Sequence, residues 1–401
     1  MEKQRVIVVG AGPTGLVTAL GLARCGVDVT VLEAEPAIVN SPRAMVYHWA
    51  VLDGLQRVGI LEDVLAFGFT NRDLYFVVFD TGERIRLTHD VLRGLTDHPY
   101  SVHLGQEKLA EIALTHLLRL PDTRVYWNTH VTGLVQDADG VTLHTRTPEG
   151  LREYRANWVV GADGGRSTVR QLLGLSMEGM TWPERFVATN IRYDFAAYDF
   201  AAANMVIGAP YGAIIARIDN TGLWRCTYCE DDSLPEETVG KRIPAYFEKA
   251  LPGAKDYELV QYSPYRMHQR VAERMRVGRV LLAGDAAHIT NPTGGLGLTS
   301  GLFDAYVLYE ALAAVVNGEA GDELLDRYAE QRRRAFVEYA SPAATEFKRL
   351  VYHPKDRAQV EASAAMLRQV AADPKLCVEV LMQAKRIESP SLLGSSGEGV
   401  V

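Results

Sequence analysis

The sequence predicts an α/β chain: a parallel sheet wrapped by helices, a β-rich layer inserted into it, and a helical C-terminal part. Three observations predict this. A strand, a glycine turn, a helix and a second strand open the chain between Val6 and Glu33. Short alternating strands replace that texture from Arg185 to Arg270. Strand-turn-helix texture returns at Val277 and leads into successive helices.

The opening unit is the most specific. Val6 to Val9 is a short apolar run, as a buried parallel strand requires. Gly10, Gly12 and Gly15 follow at G-x-G-x-x-G spacing, and an Ala/Leu-rich helix covers Thr14 to Arg24. Gly10 permits the tight turn. Gly12 lets the backbone approach a pyrophosphate, and Gly15 lets the helix pack close to the strand. A second strand, Asp28 to Leu32, ends in Glu33, about 20 residues past the first glycine, where a ribose-binding carboxylate is expected. The unit is Rossmann-like and reads as a dinucleotide site. Alone it leaves NAD, NADP and FAD open.

Composition narrows the classes. The chain has 401 residues, 47% hydrophobic and 23% charged, with a net charge of −8. That suits a globular protein of two domains or one large composite, and the acidic balance argues against nucleic acid. No apolar run suggests a membrane span, and the fold begins at Arg5 without a targeting segment, so a cytoplasmic protein is expected. The four cysteines form no disulfide framework. Cys226 and Cys229 match C-x-x-C, a redox or metal pattern, but they sit on a predicted strand where positions three apart point to opposite faces. No metal site is expected.

Along the chain, a loop from Asn40 enters a helix carrying Trp49, Leu52, Leu55 and Val58, followed by a short helix at Leu61 to Ala66. Leu74 to Phe79 and Glu83 to Leu87 form a hairpin around Asp80-Thr-Gly82. A helix opens at Gly105-Gln106, and Arg124 to Trp127 returns as a strand. Val131 to Val135, Val141 to Arg146 and Arg152 to Arg155 form a small antiparallel group. Trp158 to Gly161 is a strand running into Asp163-Gly164, with a helix at Thr168 to Leu173. The β-rich layer holds strands at Phe186 to Tyr193, Asn204 to Ile207, Ala213 to Ile218 and Leu223 to Tyr228, and a helix at Glu236 to Ala250. After Gly284-Asp285, helices are predicted over 299–316, 322–339, 342–351, 356–371 and 375–386. The implied division is 1–73, 99–180 and 271–388 for the nucleotide-binding domain with its C-terminal helices, 74–98 and 181–270 for the substrate domain, and a flexible tail at 389–401.

Three separated stretches converge on one ligand: the fingerprint with Glu33, Asp163-Gly164 after a strand, and Gly284-Asp285-Ala-Ala-His288 with the glycines of 294–297. One nucleotide needs only the first. A second phosphate, a polyol chain and a ring system need the rest, which points to FAD. This set, running from Val6 to about Glu330, resembles the single-component FAD-dependent aromatic hydroxylases, the para-hydroxybenzoate and phenol hydroxylase group of class A flavoprotein monooxygenases.

The resemblance implies FAD contacts at Gly10, Gly12, Pro13, Thr14, Gly15, Glu33, Ala34, Arg43, Gln106, Val131, Asp163, Gly164, Asp285, Pro292, Gly295, Leu296, Gly297 and Leu298. Asp285 would take the ribityl chain, and Asp163-Gly164 would serve both FAD and a transient nicotinamide donor. The pattern departs at Thr299, where the family commonly has Asn. It also implies the reaction: NADH or NADPH reduces the flavin, O2 gives a flavin C4a-hydroperoxide, and an activated aromatic ring, a phenol or hydroxypyridine with or without a carboxylate, takes one oxygen. A monomer or homodimer acting on a small aromatic substrate and O2 follows. A halogenase or reductase on the same fold, or a non-catalytic flavin-binding protein, are the alternatives. The five tryptophans are too dispersed for the halogenase pattern.

Such chemistry needs a base. His48, just after the Arg43 loop, is the candidate, against a histidine that only packs or is solvated. Pro292 is expected over the flavin, and His288 is expected to be structural. Tyr211, Arg217, Arg225 and Tyr228 are the substrate-binding candidates on the β-rich layer, Arg217 first and Tyr211 second, with an arginine favouring a carboxylated aromatic.

Overall fold

The computed structural model describes residues 4–40, 44–253 and 255–394. Arg43 therefore lies outside the described residues, as does the end of the predicted tail from residue 395.

The opening run forms the strand Arg5–Val9, four of its five residues buried. It pairs in parallel with Asp28–Leu32 on one side and Trp158–Gly161 on the other. The full sheet has six strands, extended by Thr123–Tyr126 beyond Asp28–Leu32 and by Val280–Leu282 and Arg276–Val277 beyond Trp158–Gly161. The central strands read as near-continuous apolar runs because both their faces are covered: helices pack on the sheet, and the three-stranded sheet of His130–Gln136, Val141–Thr147 and Gly150–Ala156 adds Val141, Leu143 and Ala156 to the same core. The helix Pro13–Arg24 packs on the helices Leu296–Val316 and Gln106–Leu117. Pro13 occupies the first helical turn, where its missing N–H costs nothing.

Leu296–Val316 begins three residues before the predicted start, because Gly295 takes the left-handed conformation (φ +67°) and serves as the N-cap. By length and composition this helix could cross a membrane, contrary to the expectation of no such run. In the fold, 83% of its apolar window is buried, as in the core helix of a globular domain.

The β-rich layer is one eight-stranded sheet, in the order His288–Ile289, Glu258–Ala272, Met177–Arg192, Leu223–Asp231, Ala213–Arg217, Ala203–Ile207, Asp73–Val78, Arg84–Thr88. The two longest strands, 16 and 15 residues, pair with each other. Glu258–Ala272 had no clear sequence signal. Its polar outer half, with Pro264 inside it, lacks the alternation of a half-buried strand. Register shifts near Arg185 and Asn190 bend the pair.

The sheet carries a separate apolar cluster on each face. One holds Phe186, Met205 and Met267 under the C-terminal helices. The other holds Val187, Trp224 and Phe247 under the helix Val239–Ala250. Cys226 belongs to the second cluster and Cys229 packs against the first, so the C-x-x-C pair is split by the sheet. Burial raises both thiols, Cys226 to about 12, which leaves them as inert packing residues.

Of the C-terminal helices, Glu323–Ala335 packs on Leu296–Val316 in the core of the six-stranded sheet, while Ser341–Tyr352, Arg357–Ala372 and Pro374–Leu381 run back across one face of the eight-stranded sheet. The chain does not fray at Ser389 as the predicted tail implied: Ser389 is buried, and its hydroxyl accepts a hydrogen bond from Arg332 at 3.0 Å.

Candidate active site

A single continuous cavity of about 1640 Å³ runs from the opening glycines to the concave face of the eight-stranded sheet. At its nucleotide end the glycines have different reasons to be glycine. Gly10 has φ +108°, and a Cβ there would sit 2.4 Å from the Ala162 carbonyl oxygen. A Cβ on Gly15 would sit 2.1 Å from the Gly10 carbonyl oxygen. Both are required by packing. A Cβ on Gly12 would meet nothing within 4 Å and would project into the cavity. The protein alone therefore does not require Gly12, whereas a ligand backed against that turn does. Glu33 ties the turn to the second strand: its carboxylate accepts from the N–H of Ala11 at 2.6 Å and of Glu35 at 2.9 Å. Pro13, Thr14, Ala34, Gln106 and Val131 line the same end.

The middle of the cavity is formed by two turns that a buried arginine clamps together. Asp163 accepts from the Ser167 hydroxyl at 2.5 Å and the Val169 N–H at 3.0 Å, which fixes Gly164 (φ +79°) at the wall. Arg170 donates to the carbonyls of Gly165, at 3.0 Å, and Ala286, at 2.9 Å. Asp285 is exposed on the Gly284–Ala286 turn and lines the cavity. Arg170 was not expected, since its position within a helix carries no motif.

Behind the Asp285 turn lies a wholly buried network. Asp304 accepts from the Gly284 N–H at 2.9 Å, His288 Nε2 at 2.7 Å and Arg332 Nε at 2.7 Å. Burial pushes the Asp304 carboxyl up, but His288 and Arg332 outweigh it and the net shift is downward. His288 is buried behind the turn and does not line the cavity.

At the far end, Pro292, Gly294, Gly295, Leu296, Gly297 and Leu298 line the cavity, and the first N–H groups of the long helix lie there without helical partners. The Thr290 and Thr293 hydroxyls on this loop are buried and unpartnered among the described residues. Thr299, where the family commonly has Asn, turns its hydroxyl back to the Gly295 carbonyl at 3.0 Å.

His48 crosses to this loop: its Nε2 lies 2.9 Å from the Gly294 carbonyl oxygen. A carbonyl can only accept, so Nε2 carries the proton and Nδ1 keeps the lone pair. Burial lowers the His48 pKa, the carbonyl partly opposes this, and nearby His89 lowers it further. The ring is a neutral base at pH 7. His48 is not helical: it precedes the short turn Trp49–Val51, and the preceding Val46–Tyr47 is a strand rather than the predicted loop.

The concave sheet face corrects the substrate candidates. On Ala213–Arg217, Ile214 and Ala216 line the cavity, so Arg217 points the other way. Its guanidinium lies 4.2 Å from the Phe69 ring and donates to Asn220 at 3.0 Å. On Leu223–Asp231, Arg225 and Thr227 line the cavity. Tyr228 has the opposite parity and stacks on Tyr246, ring centroids 3.7 Å apart. Tyr211 packs outside the cavity, against Phe79 at 5.0 Å and Tyr246 at 6.0 Å. Of the four, only Arg225 reaches the cavity. It donates to Asn190 at 3.0 Å, and burial lowers its pKa to about 10, so it remains cationic at neutral pH.

Two contributors were missed. His89 lines the cavity from just beyond the strand Arg84–Thr88, a position with no motif. The end of the last helix and the turn Met382–Ile387 after it also close one wall, with Leu381, Ala384 and Ile387. Their spacing of three was a legible helical stripe. Trp49 Nε1 donates to the Leu381 carbonyl at 3.2 Å and holds this segment down.

Comparison with known proteins agrees with this geometry. The chain is 46% identical over 356 residues to 6-hydroxy-3-succinoylpyridine 3-monooxygenase HspB of Pseudomonas putida (strain DSM 28022 / S16), covering 88% of this chain and 90% of that protein. It is 41% identical over 386 residues to para-nitrophenol 4-monooxygenase of Pseudomonas sp. (strain WBC-3), covering 95% of each. The crystal structure of p-nitrophenol 4-monooxygenase PnpA from Pseudomonas putida DLL-E4 superposes with a TM-score of 0.92 at 41% identity, over 96% of this chain and 98% of that one. The family described as FAD binding domain matches residues 3–341. The chain belongs to that family, among its single-component FAD-dependent aromatic hydroxylases.

Proposed function

We propose that the protein hydroxylates a small hydroxypyridine bearing an anionic side group, with FAD held along the cavity and NADH or NADPH as the electron donor. The observation that carries this reading is the bond between His48 Nε2 and the Gly294 carbonyl. It sets a neutral base with a fixed tautomer beside the loop suited to the flavin ring. The 46% identity to a hydroxypyridine monooxygenase supports the choice of ring.

The residues present fit FAD. Gly12 leaves room for a pyrophosphate against the first helix N-terminus, and Glu33 stands where a ribose would lie. Asp285 is suited to the ribityl hydroxyls. The N–H groups of residues 296–298 and the unpartnered Thr290 and Thr293 hydroxyls suit the polar edge of the ring system. Pro292 lines the same end. The bound flavin supplies activated oxygen. Segments 1–73, 99–180 and 271–388 would then hold FAD, and 74–98 with 181–270 the substrate.

The protein's own part is threefold. His48 Nδ1 takes the proton of the substrate hydroxyl, which raises ring electron density where oxygen is accepted. Arg225 supplies the one cation among the four substrate candidates that faces the cavity, and a carboxylate is its matching partner. Leu381, Ala384 and Ile387 close the wall against water.

The experiment is a compound panel. The FAD-loaded protein is mixed with NADH or NADPH and with phenols, nitrophenols and hydroxypyridines, with and without a carboxylate. Faster flavin reduction, and one atom of labelled O2 in the product, are expected with the carboxylated hydroxypyridines. Oxygen transfer to no aromatic compound overturns the reading.

A further inference from the structure

Behind the loop of residues 290–295 lies a second buried polar network. Gln269, on the strand Glu258–Ala272, and Asn291, on the loop, are both buried, and neither lines the cavity. Gln269 Oε1 accepts from the Trp182 indole N–H at 3.2 Å and from Asn291 Nδ2 at 3.0 Å. Gln269 Nε2 donates to the Ser341 carbonyl at 2.7 Å, with the hydroxyls of Ser341, at 2.7 Å, and Thr345, at 2.6 Å, beside it. Asn291 Oδ1 accepts from the Thr293 N–H at 3.1 Å. An indole N–H only donates and a carbonyl only accepts, so the Gln269 amide has one orientation that satisfies both. That orientation obliges Asn291 to turn its NH2 to Gln269 and its oxygen to Thr293.

The network ties two walls of the cavity together. One is the loop itself: Thr293 and Gly294 line the cavity, and the Gly294 carbonyl accepts from His48 Nε2 at 2.9 Å. The other is the helix Ser341–Tyr352, whose Ala343 and Phe347 line the cavity. The two walls meet at Gly294, where a Cβ would sit 2.8 Å from Phe347 Cδ2. The loop closes on itself through the Gly295 N–H and the Pro292 carbonyl, 3.0 Å apart. Its Thr293 N–H is thus committed to Asn291, while the Thr293 hydroxyl is buried without a partner among the described residues.

We infer that Gln269 is a positioning residue for the ring end of the site: acting through Asn291, it fixes the loop that receives the flavin ring and, through Gly294, the carbonyl that orients His48. This rests on the placement of the ring at that loop. Gln269 itself touches neither flavin nor substrate. Removing its amide leaves Trp182, Asn291 and the Ser341 carbonyl unsatisfied in a buried place, so the loop relaxes towards other partners. The nucleotide end is built on other elements, the turn at Gly12 and the carboxylate of Glu33, and shares none of these bonds. Loss of the network therefore weakens the hold on the ring and spares the hold on the nucleotide.

The test separates the two ends of the cofactor. Calorimetry gives the dissociation constants of the apoprotein for FAD and for ADP, which carries the nucleotide end alone. The proteins are the wild type, Asn291→Ala, Gln269→Met, the double variant and Trp182→Phe. Asn291→Ala and Gln269→Met should each weaken FAD about tenfold and leave ADP within about twofold. The double variant should be no weaker than the weaker single one, because both cut the same path. Trp182→Phe removes one donor to Gln269 but leaves the Asn291 bond, and the Ser341 carbonyl still holds the amide. It should lower thermal stability and leave FAD affinity within about twofold. At saturating FAD, the visible circular dichroism of the flavin should change in Asn291→Ala and Gln269→Met and not in Trp182→Phe. Should Gln269→Met not fold, Asn291→Ala and Trp182→Phe still decide, since they cut separate bonds to the same oxygen. Unchanged FAD affinity in Asn291→Ala, an equal fall for ADP, additive losses in the double variant, an unchanged flavin signal, or the same loss in Trp182→Phe overturns the inference. A wild type that binds FAD no more tightly than ADP overturns the placement of the ring instead.

Discussion

Asp304 and Arg332 form an ion pair 2.7 Å long with both side chains wholly buried. The pair joins distant parts of the chain. Asp304 holds the turn that carries Asp285, through the Gly284 N–H, while Arg332 holds the C-terminal segment through the Ile387 carbonyl at 2.6 Å and Ser389. That segment forms a wall of the substrate end. Arg332→Leu removes the guanidinium and leaves the Asp304 carboxylate with His288 and the Gly284 N–H. Stability should fall by about 3–5 kcal/mol, as for a buried pair broken on one side. Retained FAD should fall with it. Denaturant unfolding and the flavin-to-protein absorbance ratio of the purified variant check both. An effect on neither would mean that the C-terminal segment packs independently of the Asp285 turn.

The opening glycines allow a sharper separation of folding from binding. Gly12→Ala places its methyl in open space, so thermal stability without FAD should change by less than about 1 kcal/mol, while FAD affinity should drop at least about tenfold. Gly10→Ala strains a left-handed backbone and clashes with Ala162, so it should destabilise the protein itself by more than about 1 kcal/mol. Thermal melts with and without added FAD distinguish the two outcomes.

What was legible in the sequence follows from these same residues. Gly10, Gly15 and Val6 to Val9 were readable because strand, turn and helix are local: the residues that impose them lie within a few positions. The nucleotide end of the site was readable for that reason too. The substrate end was not. Arg217 and Arg225 look alike in sequence, and only the register of Ala213–Arg217 against Leu223–Asp231 decides which reaches the cavity. A slip of Ala213–Arg217 by one residue would set Arg217 opposite Arg225 and turn it to the cavity as well. His89 and Arg170 depend on partners 17 and 116 residues away. Nothing near them in the chain signals the pairing.

The parity of that strand pair is testable in function. Arg225→Met should raise KM for a carboxylated aromatic substrate about 10- to 100-fold, and should leave KM for its uncharged analogue within about threefold. Arg217→Met, on the opposite face, should leave both values within about twofold and act on stability only, through its contacts with Phe69 and Asn220. The reverse pattern in steady-state kinetics would mean that the sheet register differs from the one described.

If His48 Nδ1 takes the substrate proton, His48→Gln keeps a donor to Gly294 but removes the base. Turnover should fall by about a hundredfold or more with FAD content unchanged. The His48 pKa lies below its ordinary 6.5, so the base is neutral above that pH. The wild-type rate should stay level from pH 8 down to 6.5 and decline only at lower pH. Stopped-flow measurement of the hydroxylation step, rather than overall turnover, isolates this limb from donor binding. An unchanged rate in His48→Gln removes the residue from the mechanism.

His103 gives the matching prediction for stability. It is fully buried, its Nδ1 donates to the Arg217 carbonyl at 2.8 Å, and its Nε2 has no partner among the described residues. Burial lowers its pKa from 6.5 to about 4, with the Arg217 carbonyl opposing and the Arg217 charge assisting. The unfolded chain therefore binds this proton first as the pH falls. The stability held in the neutral form is fully present above pH 6.5 and is lost as the pH falls through about 4. Over that window the loss is about 3 kcal/mol. His48 and His89 are shifted in the same direction and add to the slope. His103→Phe keeps an apolar ring in contact range of Phe69 and removes the titration. Its denaturant midpoint should be lower than wild type at pH 7, through the lost hydrogen bond, and should fall less steeply between pH 6.5 and 4. Parallel pH profiles for the two proteins would assign the acid sensitivity to other groups.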